Sequence, residues 1–243
     1  QKKRKKSVYN QEPKRRRLCY RRKKMNEPKN AYWVLRHGKS IPNEKGIIVS
    51  SLENGVRPEF ALSPDGIAQA QSAGRQFLQQ LTSLQIPLSS VRILYSPFSR
   101  TKRTANEVAN AIGVDFDGPQ CRAIGGLRER YFGPLMELQS HEMYAEIWAL
   151  DASDPLMAPS GGESVHDVAL RLGSVLGAVE SETEGCAVLF VSHGDPLQIL
   201  QLMMETAKLR RDFEALFVPE KDPSVLSRHR DFALETGELR HVV

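Results

Sequence analysis

Two apolar, strand-forming runs in this chain finish in the same dipeptide, and that pair of endings limits the fold more than anything else. Tyr32-Trp33-Val34-Leu35 runs into Arg36-His37-Gly38, and Ala187-Val188-Leu189-Phe190-Val191 runs into Ser192-His193-Gly194, with the two histidines 156 residues apart. The second run is too continuously apolar for a half-exposed strand and reads as the buried strand of a parallel sheet. In an open α/β sheet, ligands sit beyond the carboxyl ends of the strands. Two parallel strands therefore bring both imidazoles to one edge. A glycine beside each gives a ligand room to approach the backbone.

The rest of the pattern alternates in the same sense. Ser63-Pro64-Asp65 has the cap, the first-turn proline and the early acid of a helix start. Ile67, Ala70, Gly74, Phe77, Leu78 and Leu81 then share one face. Val91–Tyr95 reads as a strand, Ser99 to Ile112 as a helix stopped by Gly113, and Val114-Asp115-Phe116 as a short strand. Helices are expected across Glu137 to Leu150, from Ser164 through Glu180, and from Asp195-Pro196 onward. The stretch Ile41 to Leu62 reads as irregular, and Leu239–Val243 as a closing edge strand. Strands alternating with helices specify one α/β domain: a mostly parallel central sheet with helices on both faces.

Charge divides the chain in two. Residues 1–30 hold 14 Lys/Arg and two acids, Glu12 and Glu27, while the remaining 213 residues hold 20 basic and 27 acidic ones. The first part reads as a disordered basic arm, because like charges repel and little there is apolar enough to bury. Such an arm suits a polyanion or an import receptor. The body, residues 31–243, is mildly acidic, which disfavours nucleic-acid binding by the domain itself. Cys19, Cys121 and Cys186 are scattered and odd in number, fitting a reducing interior rather than a disulfide framework. No apolar run is long enough to cross a membrane. Location in cytoplasm or nucleus is expected; an organelle stays open, since the chain starts on glutamine rather than methionine.

Around the two histidines the sequence gathers further chemistry. Arg36 adjoins the first, and Arg100 opens the helix after the Val91–Tyr95 strand. Two guanidiniums and two imidazoles near a helix N-terminus make a pocket for a dianion, above all a phosphate. Glu129, in Leu127-Arg128-Glu129-Arg130, is the acid available to move protons.

In order, Arg36-His37-Gly38, Asn43, Leu62-Ser63-x-x-Gly66-x-x-Gln69-Ala70, Ser96-x-x-x-Arg100-x-x-x-Thr104-Ala105, Leu127-x-Glu129-x-x-x-Gly133, Gly162-Glu163-Ser164 and Ser192-His193-Gly194 resemble the histidine phosphatase superfamily, in its phosphoglycerate-mutase-like branch. The resemblance implies that His37 is a nucleophile forming a phosphohistidine. It implies that Arg36, Arg100 and His193 hold the phosphoryl oxygens, with Asn43 and Gly194 at their rim, and that Glu129 serves as acid and then base. It implies no metal and no cofactor, and a small phosphorylated metabolite as substrate. Two alternatives remain at this point: a phosphoglycerate-type mutase, and a phospho-ligand binding module without catalysis. His141, His166, His229 and His241 lie outside the motifs and read as surface or packing residues.

Three departures bear on substrate. Lys39 follows Arg-His-Gly, where it either adds charge near the phosphate or points to solvent. The Gly133-Pro134-Leu135-Met136-Glu137 segment lacks the tryptophan and second glycine of the small-sugar phosphatase version. The covering segment, Tyr131 to Ser160, contains no lysine or arginine but has Glu137, Glu142, Glu146, Asp151 and Asp154. On that reading five carboxylates repel a second phosphate, so singly phosphorylated esters with an apolar face are preferred, and only Lys39 or Arg130 swinging inward reverses this.

Overall fold

The computed structural model describes residues 27–213 and 223–243. Most of the expected basic arm, like its proposed disorder, lies outside them. The first described residues are already tied to the domain: the Lys29 and Asn30 side chains, with the Lys29 amide, donate to Glu180 and to the Thr183 carbonyl just beyond it.

The first strand, β1 (Ala31–Arg36), leads into α1 (Ile41–Lys45), α2 (Leu52–Gly55) and a 3₁₀ turn at Pro58–Phe60. The stretch expected to be irregular thus contains two short helices. There follow α3 (Pro64–Ser83), β2 (Val91–Tyr95), α4 (Ser99–Ile112), β3 (Cys121–Ala123), α5 (Tyr144–Ser153), α6 (Val165–Glu182), β4 (Ala187–Ser192), α7 (Gly194–Arg210), a 3₁₀ segment Pro223–Phe232 and β5 (Leu239–His241). One sheet has the order β3-β2-β4-β1-β5, parallel except for the β5 edge. This is the α/β architecture that the alternating pattern specifies.

Strand residues alternate between two cores, as side chains on a pleat must. Tyr32, Val34, Val188 and Phe190 pack with α6 and α7, while Trp33, Leu35, Leu189 and Val191 pack with α3 and α4. A sheet buried on both faces holds its strand ends rigidly, and those ends carry the site.

Two local expectations fail for stated reasons. Val114–Phe116 is not a strand: Gly113 turns left-handed at φ 78°, and the Val114 amide closes α4 on the Ala109 carbonyl. The third strand is Cys121–Ala123 instead, paired with Ile93–Tyr95. Nor does a helix begin at Glu137. Its carboxylate is held by the amides of Ser50 and Ser51, both their hydroxyls and Asn54, and Leu138 adopts φ 64°, so helix α5 starts only at Tyr144.

Candidate active site

β1 and β4 are neighbours in parallel register, with Arg36 opposite Ser192. The His37 amide continues the ladder to the Ser192 carbonyl at 3.0 Å, which leaves the His37 and His193 rings 5.2 Å apart. Arg36, His37, Asn43, Arg100, Glu129 and Gly194 line one cavity of about 500 Å³. His193 is wholly buried beneath it. The seven residues singled out from sequence are therefore together.

Geometry decides the state of each. His37 Nδ1 lies 2.7 Å from the Gly38 carbonyl, which only accepts, so Nδ1 carries the proton and Nε2 keeps its lone pair. Arg100 Nε donates to that Nε2 at 3.1 Å. Burial first, then Arg100 and Arg36, hold His37 well below the usual histidine range, so the ring is neutral. His193 is kept neutral in the same way, by burial and then by Arg100. Ser96 Oγ, 2.8 Å from His193 Nε2, receives the Phe98 amide and so has its own hydrogen to give that nitrogen. With the hydroxyl donating there, the His193 proton sits on Nδ1, 3.7 Å from Glu129 Oε2.

Three buried donor nitrogens have no partner within the described residues: Arg36 Nε, Arg100 Nη1 and His193 Nδ1. Leaving a buried donor unpaired costs about 1–3 kcal/mol, more when it is charged. Three of them around one neutral imidazole make a cradle for an acceptor-rich anion. Gly194 adds the N-terminus of α7, where the helix dipole favours negative charge.

Glu129 is not the surface ion pair its arginine neighbours permit. Its Oε2 lies 3.8 Å from Arg100 Nη2 and 3.7 Å from His193 Nδ1, almost out of solvent. Burial above all, opposed by Arg100 and reinforced by Asp195, pushes its carboxyl up to about 7. An acid titrating there can both give and take a proton near neutrality. Asn43 serves two ends at once. Its Oδ1 accepts from the Ser40 amide and hydroxyl, boxing the start of α1, and its amide nitrogen is the end left for the cavity.

Several sequence expectations are corrected here. A Cβ on Gly38 would meet the Gly66 carbonyl oxygen at 2.2 Å. That glycine admits the start of α3 rather than a ligand. Lys39 points outward to Glu44 and Asp65, both at 3.5 Å. Arg130 cannot swing in. It is fully buried, bidentate to Asp151 at 2.7 and 2.8 Å and 3.2 Å from Asp195. Asp151, Asp195 and His229 approach one another closely enough for metal ligands, but this guanidinium bonds both carboxylates and fills the cation's role. None of the five covering carboxylates lines the cavity. Phe132, Tyr144, Trp148 and His141 do, and His141 Nε2 lies 2.8 Å from the Ile47 carbonyl.

Sequence reasoning also missed Arg230. It comes from the 3₁₀ segment, lines the cavity and lies 3.6 Å over the Trp148 ring. No local motif marks it. Glu163, of the Gly162-Glu163-Ser164 motif, receives Arg128, Arg171 and the Tyr131 amide, and Arg171 also bonds the Glu129 carbonyl.

A family model described as histidine phosphatase superfamily (branch 1) matches residues 32–216. Among curated proteins, mouse fructose-2,6-bisphosphatase TIGAR is 29% identical over 150 residues, covering 59% of this chain and 48% of that protein. The match thus spans about half the length of the mouse relative. A probable phosphoglycerate mutase GpmB of Erwinia tasmaniensis is 29% identical over 175 residues, 69% of this chain and 71% of its own. Among solved structures, a mycobacterial hydrolase superposes with TM-score 0.62 at 22% identity over 86% of both chains, which speaks to the fold. The native mycobacterial glucosyl-3-phosphoglycerate phosphatase gives 0.56 at 25%, over 72% of this chain and 78% of that one.

Proposed function

The chain belongs to the histidine phosphatase superfamily, and from that premise we propose that it is a phosphomonoester hydrolase working through a phosphohistidine on a small phosphorylated metabolite. Phosphatases among its relatives and structural neighbours support the broad activity. The observation that carries the mechanism is the set of three unpartnered buried donors around a neutral His37.

In the proposed first step, the His37 Nε2 lone pair forms a bond to phosphorus as the bond to the ester oxygen breaks. Glu129, protonated, gives its proton to the departing oxygen. Arg36, Arg100, His193 Nδ1–H and the Gly194 amide meet the phosphoryl oxygens, whose charge redistributes during transfer. Asn43 adds a neutral donor at the rim. In the second step water attacks phosphorus, ionised Glu129 takes its proton, and the P–N bond breaks to release phosphate and neutral His37. Every proton is accounted for by groups already placed, and no step calls on a metal.

The test is to quench turnover of a ³²P-labelled ester and probe the linkage. The expected label is acid-labile and base-stable, mapped to His37 and absent from His37→Ala. Label on a serine or an aspartate overturns the mechanism. Release of inorganic phosphate, rather than an isomerised ester, separates the hydrolase from the mutase alternative.

A further inference from the structure

We propose that Arg230 is the anchor for the alcohol half of the substrate, and that this half carries its own oxyanion, a carboxylate or a second phosphate. The inference rests on the phosphoester reading of the cavity floor and names the class of ester it takes.

The floor and the mouth of the cavity are differently furnished. Arg36, His37, Arg100 and Glu129 occupy the floor, whereas His141, Tyr144 and Trp148 of the covering segment and Arg230 border the mouth. Arg230 sits 3.6 Å over the Trp148 ring, and Tyr144 lies parallel to that same ring with centroids 5.9 Å apart. Stacking uses the face of a guanidinium and leaves its in-plane N–H groups unused. Among the described residues no carboxylate is paired with Arg230. An arginine held over an aromatic ring at a cavity mouth is pre-organised for bidentate capture of an oxyanion.

The surrounding charge sharpens the choice. Asp195 at the cavity wall is engaged by Arg130. Glu137 and Asp151 of the covering segment are consumed by Ser50, Ser51 and Asn54 and by Arg130. The carboxylates that the sequence sets against a second anion are therefore spent or turned away. Glu235, also on the lining, is the one acid that works against the proposal, and its neighbour Thr236 is neutral. A singly charged aryl or nucleoside-like ester leaves Arg230 without a partner, while an ester whose alcohol is acidic satisfies both ends of the cavity.

The experiment compares esters that differ by one oxyanion on the alcohol half: 3-phosphoglycerate with glycerol 3-phosphate, 6-phosphogluconate with sorbitol 6-phosphate, and fructose 1,6-bisphosphate with fructose 6-phosphate. For the wild-type full chain, kcat/KM should favour the acidic member of at least one pair by tenfold or more. Arg230→Met, which keeps the contact with Trp148, should lower that ratio at least tenfold, mainly through KM, and Arg230→Lys should restore part of it. Calorimetry of the same esters with His37→Ala and His37→Ala/Arg230→Met reads the anchor without turnover. Ratios and affinities unmoved by Arg230→Met overturn the anchor and leave the hydrolase standing. Discrimination in binding without hydrolysis by wild type overturns the hydrolase and leaves the anchor. Failure of all six esters to bind overturns both.

Discussion

The floor of the cavity and its mouth are built by opposite means. At the floor, His37 and His193 follow two hydrogen-bonded parallel strands, and both are buried. At the mouth, Trp148 comes from a ten-residue helix and Arg230 from a 3₁₀ segment, far apart in sequence and joined by ring stacking. On the proposed function, chemistry that needs fixed attack geometry would rest on rigid strand ends, and recognition on excursions that vary at little cost to the fold. Changes at the floor should lower turnover of every ester, whereas changes at the mouth should alter the ratio between esters. Arg130 joins the two, since it grips Asp151 of the covering helix and Asp195 beside the floor.

The hardest break at the floor is His37→Ala. Turnover should fall below detection for every ester, activated or not, because the other imidazole at the floor, His193, has its Nε2 engaged by the Ser96 hydroxyl and cannot take over the attack. Residual activity that still depends on the ester's structure at the mouth would remove His37 from the chemistry.

Next in size is Glu129→Gln, which separates the two halves by leaving group. Phosphoryl transfer from an alkyl ester should slow by about 10²–10⁴-fold, while a p-nitrophenyl ester, whose leaving group needs no proton, should lose far less. Glu129 titrates near 7, with Arg100, Asp195, Arg36 and His193 around it. Single-turnover transfer from the alkyl ester in wild type should therefore fall as pH rises past about 7, where the acid form is depleted. The variant should lack that decline.

Arg130→Met tests the joint. Removing one partner of a buried ion pair costs about 3–5 kcal/mol, so the urea midpoint should drop markedly. Arg130→Met/Asp151→Leu should recover much of it, because the more deeply buried of the two carboxylates left bare by the single change is then gone, and Asp195 keeps some contact with solvent. If the double variant regains stability but not the preference between esters, the joint positions the mouth as well as stabilising it.

A smaller effect lies in the pH dependence of stability. Burial holds the folded-state values of His37 and His193 well below the ordinary 6.5 and lifts that of Glu129 from 4.5 to about 7. Between about 4.5 and 6.5 the unfolded chain binds protons at both imidazoles that the folded chain refuses, so this pair makes stability fall as pH falls. Glu129, protonated in the folded chain but ionised in the unfolded one, has the opposite sign: its contribution is full below 4.5 and lost as pH rises through about 7. Glu129→Gln should make stability rise more steeply with pH across the window, as read by unfolding at about pH 5 and pH 6.5. An unchanged slope would mean the carboxyl is not titrating where its burial places it.

The smallest change is expected from deleting residues 1–26. Their basic charge should give heparin binding that collapses as salt rises, while turnover of a small ester stays within about twofold of the full chain, because every group placed at the site comes from outside that stretch.

How much of this was legible follows from how local each feature is. Arg36-His37-Gly38 and Ser192-His193-Gly194 stand at the ends of apolar runs, and parallel pairing of such runs brings their ends together whatever the loops do. Arg100 and Glu129 were legible from their place after a strand and within a motif. The function of Gly38 was misread, because the Gly66 backbone that crowds it comes from another element. The expected third strand failed at Val114, whose amide was taken by the end of α4.

The sequence by itself determined the parallel α/β core and the identity of the groups on the cavity floor, because alternation and strand endings are short-range properties. Only tertiary structure decided that Glu137 and Asp151 turn away from the cavity, that Arg130 is locked, and that Arg230 reaches its mouth. It also decided that Glu129 titrates near neutrality. Those facts depend on burial and on partners distant in sequence, and the free energy of a charge is set by what surrounds it.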